Sequence, residues 1–462
     1  MKRMLAFLTA LIIAATSLSV VFGKEINKMS TDVRYTLETE YGDRSLLEGI
    51  SFKTYASNER YLIWENTFDP FGETESVLTF KKTRLKFEPH KIGTSLQFLS
   101  YGYDFFINAN QKIKNTIIKA AKDVNEGESK TINIKFSDFY TYYPLYFSLG
   151  LSDTSTIQKA FSSHYVSPDF SYDDMENLDN ALNDFLKIPV KENDIWNVKI
   201  SKTNGEYAYY FTNDKSFDFS CMDVVFDNKI YFTFSNSTLI NNDNPGEKVD
   251  TSLIPGGYGI YLLPFSEGKV HYDKLENVFP INENSTVLYL YKDEYNSYLY
   301  LMLSENGKFT LKIIDEKSMQ EIYSEELFDY SHKDWVHTVI KDDFAVFFKN
   351  EYEIKVIAKN QNGGFSQVIH YKIPEDNEFY TQNHPYSSEF EFDNGRLIMC
   401  SPDTYINNLS VERYLNLHAF IFTENGLSYY GKWNCSLGEY SIREYPFCTY
   451  MDERKAVPVV NK

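Results

Sequence analysis

Turn pairs recur between apolar runs from residue 204 onward, and this punctuation constrains the fold more than any other feature. They are Asn204-Gly205, Asp227-Asn228, Glu267-Gly268, Asn306-Gly307, Asn362-Gly363, Asn394-Gly395 and Asn425-Gly426. Asn and Gly both tolerate φ > 0, which a tight two-residue hairpin turn requires. The clearest hairpin joins residues 299–303 to 309–314 through Asn306-Gly307, and residues 320–323 supply a further strand. Tyr and Phe, 37 and 36 in number, favour strands as well.

Four of the runs, 230–234, 298–303, 344–348 and 397–400, are apolar at every position instead of alternating. A strand of that kind is covered on both faces. The runs begin 68, 46 and 53 residues apart, each followed by another strand and a turn. A four-stranded unit with buried inner strands, repeated in this way, is the sequence form of a propeller blade. The expected units are 216–281, 286–328, 335–374 and 388–438. The fold class expected is mainly β, a degenerate propeller-like repeat array; a stacked sandwich array is the alternative.

The first half reads differently. Residues 110–122 place Ile113, Ile117, Ala120 and Ala121 on one face and lysines elsewhere, which predicts a short amphipathic helix. A second helix is predicted over 173–187, with Ser171 and Asp174 in capping-box spacing and Pro189 as its stop. Residues 131–136 and 143–149 read as strands between them. The implied division is an N-terminal β segment at 24–103, a small α/β insertion at 104–190, propeller-like repeats at 191–445 and a tail at 446–462.

Residues 1–23 stand apart. Met1-Lys2-Arg3-Met4 is basic, residues 5–21 are apolar apart from Thr and Ser, and Val21-Phe22-Gly23 precedes the polar Lys24-Glu25. That is the layout of a secretory signal peptide. The apolar run, about 17 residues, sits at the lower limit for spanning a bilayer, so cleavage is expected and an uncleaved anchor is the alternative. The predicted location is extracytoplasmic, secreted or at the cell surface.

The formal charge of −19 repels phosphate backbones and anionic bilayers, which argues against nucleic acid as a partner. Contact with a membrane is then expected only through an uncleaved leader or a partner. Cys221, Cys400, Cys435 and Cys448 are too few for a disulfide scaffold in an exported chain of this length. Cys435 and Cys448 are the nearest pair and the candidate for a single bridge.

The chemical inventory is thin. No nucleophile elbow, zinc-protease helix, P-loop or dinucleotide fingerprint occurs. Gly256-Gly257-Tyr258-Gly259 precedes a strand and not a helix, so a turn accounts for it better than a phosphate cradle. His332 and His337 have poor metal-ligand spacing, and residues 241–247 lack the alternating acids of a calcium loop. No metal or cofactor is therefore expected. Glycoside cleavage needs two carboxylates facing each other across a cleft. Among 65 acidic residues, Asp138 is the most suggestive, because Tyr140, Tyr142 and Tyr143 follow it and aromatic rings stack on sugars. A partly buried sheet accounts for the same run.

Two stretches carry a resemblance. One is Tyr41-Gly42-Asp43-Arg44-Ser45-Leu46-Leu47-Glu48-Gly49-Ile50 followed by Tyr61-Leu62-Ile63-Trp64-Glu65-Asn66-Thr67-Phe68. The other is Asp250-Thr251-Ser252-Leu253-Ile254-Pro255-Gly256-Gly257-Tyr258-Gly259-Ile260-Tyr261. Together they resemble uncharacterised exported proteins of Firmicutes. The resemblance implies export and a propeller-like body, and supplies no catalytic residue. From the residues themselves, Gly42-Asp43 and Glu48-Gly49 bracket a tight turn. The functional expectation is a non-enzymatic binding or protein-interaction module of the cell envelope, its partner another envelope protein or a cell-surface glycan. The alternative is a carbohydrate hydrolase or lyase using scattered carboxylates.

Overall fold

The computed structural model describes residues 2–31, 34–57, 62–80, 92–98, 111–143, 145–151, 172–212, 221–226, 229–237, 248–266, 269–293, 296–341, 343–350, 352–374, 388–407, 410–435 and 456–460. The chain is mainly β: a propeller-like array of four-stranded antiparallel sheets with a small α/β segment in its first half. Residues 2–31 form a helix, α1 (Lys2–Thr31). Among the described residues, no helix is long and apolar enough to cross a membrane.

Sheet 1 contains Ile50–Ser57, Leu62–Phe68 and Thr74–Phe80, with Ala456–Val460 added beside the first. Sheet 2 contains Cys221–Phe226, Lys229–Phe234, Gly259–Ser266 and Glu276–Pro280, and a short strand, Lys269–Val270, pairs with the third. Sheet 3 is the simple meander Thr286–Lys292, Tyr298–Glu305, Lys308–Asp315 and Gln320–Asp329. Sheet 4 repeats that order with Val336–Lys341, Phe344–Lys349, Glu353–Lys359 and Phe365–Lys372. Sheet 5 contains Glu389–Asp393, Arg396–Asn407, Ser410–Thr423 and Gly426–Cys435, with Tyr35–Gly42 as a fifth strand on its edge.

The turn chemistry explains the hairpins. Asn204, Asn306 and Asn394 have φ of 53°, 50° and 48°, and Gly205, Gly307 and Gly395 follow at 79°, 74° and 77°. Positive φ at both central residues is the turn whose twist matches the flanking strands. The fully apolar runs are covered on both sides. In sheet 5, Ile398, Cys400, Ala419 and Ile421 join a core with Phe52 and Phe68 of sheet 1. The alternate residues Leu397, Met399, Phe420 and Phe422 join a second core with Phe344, Val346 and Phe348 of sheet 4. Each Leu, Ile, Val, Met or Phe side chain among them contributes about 1.5–3 kcal/mol by leaving water.

Two compact units result. One comprises residues 1–87, 336–339 and 343–462; the other comprises 88–335 and 340–342. In the first, the terminal strands are reciprocally exchanged: an early strand completes the last sheet and a late strand completes the first.

The α/β segment lies in the second unit. Helix α2 (Gln111–Ala121) buries Ile113, Ile117 and Ala121, as its periodicity predicts. Helix α3 (Tyr172–Phe185) ends ahead of Pro189; Ser171, the predicted capping residue, lies outside the described residues. Strands Ser129–Lys135, Ile195–Thr203 and Glu206–Thr212 form a three-stranded sheet, and Ile92–Phe98 pairs with Leu145–Leu151. The α/β segment therefore continues through Thr212, because its central strand comes after α3.

Candidate functional site

The aromatic run after Asp138 is not a strand. A 3-10 turn, Phe136–Asp138, follows the strand Ser129–Lys135 directly. The Phe136 N–H is bound to the carbonyl of Asp194 at 2.8 Å, and the Tyr143 N–H to that of Ile188 at 2.9 Å. These two ties hold residues 136–143 as a compact loop. Asp138 is exposed, and Tyr140 and Tyr142 are half-buried. Tyr140 packs on Phe136 with ring centroids 4.8 Å apart. Tyr143 is buried, stacks on Phe136, and donates its hydroxyl to the buried Asp194 carboxylate. The loop thus directs Tyr143 inward and Asp138 outward. Of the cysteine pair, Cys435 is buried at the end of its strand, and Cys448 lies outside the described residues.

Both resemblance stretches build corners. Gly42 has φ +84°, and a Cβ there would lie 2.1 Å from the Ser428 carbonyl oxygen. Asp43 then caps a 3-10 turn, its Oδ1 accepting the Ser45 N–H at 2.9 Å. Arg44 lies over the rings of Phe71 and Trp433 and donates to the Pro70 carbonyl at 2.6 Å. Arg396 donates to the carbonyl of Leu46 at 2.7 Å and to Asp393 at 2.7 Å. This corner carries the chain from sheet 5 to sheet 1. In the second stretch, Gly256 and Gly257 have positive φ, and Asn277 donates to both their carbonyls at 2.8 and 2.9 Å. Tyr258 donates to the Phe234 carbonyl at 2.6 Å and accepts the Val287 N–H at 3.3 Å, joining sheet 2 to sheet 3.

The buried charges are likewise internal. Glu316, only 8% exposed, accepts from Lys229 at 2.8 Å and from Tyr231 at 2.6 Å. Burial pushes the Glu316 carboxyl up, but the bonds from Lys229 and Tyr231 outweigh it and hold it below its ordinary range. Lys292 donates to the Val225 carbonyl at 2.7 Å beside this cluster. Ser266 Oγ and His271 Nε2 lie 2.6 Å apart across a hairpin. A hydroxyl beside an imidazole is half of an acyl-transfer site, but among the described residues no carboxylate orients the other ring nitrogen. Among the described residues, no group of three or more His, Cys, Asp or Glu is placed to hold a metal.

Among the described residues, the outer face of the three-stranded sheet presents exposed aromatic and apolar side chains beside polar ones. Its inner face buries Ile134, Trp196, Val198 and Ile200. Strand alternation therefore turns Thr131, Asn133, Ile195, Asn197, Lys199 and Tyr210 outward, with Thr131, Lys199 and Tyr210 in one cross-strand row. Tyr210 is 58% exposed and Ile195 42%. Tyr210 was not marked by the sequence, because Glu206–Thr212 has no polar alternation to separate its faces.

No family profile matches the sequence, and no curated protein matches it. Solved structures align at low identity. The N-terminal domain of Nup159 aligns at 9% identity and a TM-score of 0.23, over 56% of this chain and 57% of that domain. AztD from Citrobacter koseri aligns at 10% and 0.26, over 89% of this chain and 98% of that one. The WD40 domain of SCAP from fission yeast aligns at 8% and 0.25, over 86% and 74%. The propeller-like description rests on the strand orders given above, not on these alignments.

Proposed function

We propose that this chain is an exported binding module of the cell envelope, and that its contact surface is the outer face of the three-stranded sheet. The observation that carries this reading is the exposure of Tyr210 and Ile195 beside Thr131, Asn133 and Lys199 on a sheet whose other face is core. Rigid strands hold these side chains in place, so an aromatic ring and several hydrogen-bonding groups face solvent together at little ordering cost. The basic start and apolar run of residues 1–23 support export.

The test is binding of the full chain and of residues 24–462 to a polysaccharide array and to envelope extracts, wild type against Tyr210→Ala. The expected result is one bound class, lost in Tyr210→Ala at an unchanged melting temperature. Binding indifferent to Tyr210 would remove the proposed surface. Slow release of reducing ends from a bound glycan would replace the binding reading with a carbohydrate hydrolase.

A further inference from the structure

The turns Asn204-Gly205, Asn306-Gly307 and Asn394-Gly395 share one backbone shape, with φ positive at both residues, and all are exposed. They differ in what holds the asparagine side chain and the glycine nitrogen. In the first, Glu126 accepts the Asn204 N–H through Oε1 and the Gly205 N–H through Oε2, the latter at 3.1 Å. In Asn394-Gly395 the carboxamide is tied: its Nδ2 donates to Asp393 Oδ2 at 2.9 Å, and Arg396 holds that same oxygen at 2.7 Å. Asn306-Gly307 has neither tie among the described residues. The Tyr330 N–H binds the Gly307 carbonyl at 2.8 Å, which leaves the Gly307 N–H itself uncommitted.

An asparagine followed by glycine can react with its own backbone. The glycine N–H gives up its proton to hydroxide, and the nitrogen attacks the asparagine Cγ. An N–Cγ bond forms, the Cγ–Nδ2 bond breaks, and ammonia leaves with a proton taken from water. Water then opens the resulting five-membered imide at either carbonyl, giving aspartate or isoaspartate. Glycine offers no Cβ to obstruct the approach. A carboxylate on that N–H opposes the reaction twice: it holds the nitrogen in place, and its charge repels the amide anion that must form.

We propose that Asn306 is a site of spontaneous covalent modification by this route, and that Glu126 spares Asn204 from it. The tied carboxamide of Asn394 places that turn between the two. Isoaspartate at 306 adds a backbone methylene inside the turn that aligns Tyr298–Glu305 with Lys308–Asp315, so the change falls on a central hairpin of sheet 3.

The full chain is aged at mildly alkaline pH, folded and in urea, and the three turns are followed by peptide mass mapping with isoaspartate detection. In the folded chain the expected order of rates is Asn306, Asn394, Asn204, with Asn306 about ten-fold ahead of Asn204, the scale of an exposed like-charge penalty. In urea the three rates should converge. Glu126→Gln, which keeps an acceptor and removes the charge, should speed modification at Asn204 and leave Asn306 unchanged. Equal rates in the folded chain, or the same order persisting in urea, would overturn the proposal. Asn204 staying as slow in a folded Glu126→Gln variant would overturn the protective role.

Discussion

Tyr231 donates its hydroxyl to the Glu316 carboxylate at 2.6 Å, and that bond crosses from sheet 2 to the turn that follows the third strand of sheet 3. Removing one partner of a buried charge-assisted bond leaves the other unsatisfied. Tyr231→Phe is expected to lower stability by about 1–3 kcal/mol, and Glu316→Ala by more, since it strands Lys229 and Tyr231 together. Urea denaturation of the two variants against wild type checks the order.

The same carboxylate sets an acid limb. Its folded pKa lies below its unfolded one, so its contribution is complete above the ordinary carboxylate range and is lost as pH falls through the folded value. Glu316→Gln should flatten the fall in melting temperature below about pH 4.3, the ordinary glutamate value. An unchanged acid limb would assign it to other carboxylates.

An alkaline limb follows from the tyrosines. Burial raises Tyr258, Tyr261 and Tyr429, and Tyr330 is pushed up to about 12 by burial with Tyr289 and Asp334 nearby. For groups raised in the folded state, stability is intact below their unfolded value of about 10 and drains as pH rises past it. Tyrosinate absorbance should therefore rise in two stages, exposed rings first and buried rings together with loss of the far-ultraviolet signal. A single stage with the fold intact would contradict the burial.

At the corner between sheets 5 and 1, Gly42→Ala meets both a positive φ and a carbonyl oxygen 2.1 Å from its new Cβ. It should cost at least about 1–3 kcal/mol. Arg44→Lys should not restore what Arg44→Ala loses, because stacking between Phe71 and Trp433 needs a planar cation. Thermal melts of the three variants are the measurement.

Much of the sheet structure was legible in sequence, because hairpins are local. Asn306-Gly307 and Asn394-Gly395 sit at the turns where φ becomes positive, and the 298–303 and 344–348 runs are the inner strands they were read to be. The partners of Tyr35–Gly42 and Ala456–Val460 were not legible, since Tyr35 pairs with Cys435 and Ile50 with Val460 across almost the whole chain. Residues 139–143 looked like an alternating strand, but two backbone ties to the 188–194 segment fold them into a loop. The face proposed for contact was hidden for a different reason: an aromatic on either side of a Tyr-rich strand looks the same until its neighbour, Ile200 or Lys199, is known.

The inner runs of sheet 5, residues 397–400 and 419–422, are apolar on both sides, and this bears on how such a chain can drift through evolution. A one-residue slip in an ordinary half-buried strand swaps greasy for wet and is punished at once. Here the two faces are chemically alike, so the strand interiors do little to remember their own alignment. That memory resides in corner residues such as Asn394, Gly395 and Gly42. Descendants of this chain can exchange most of their core letters and remain superimposable, provided the corners are inherited.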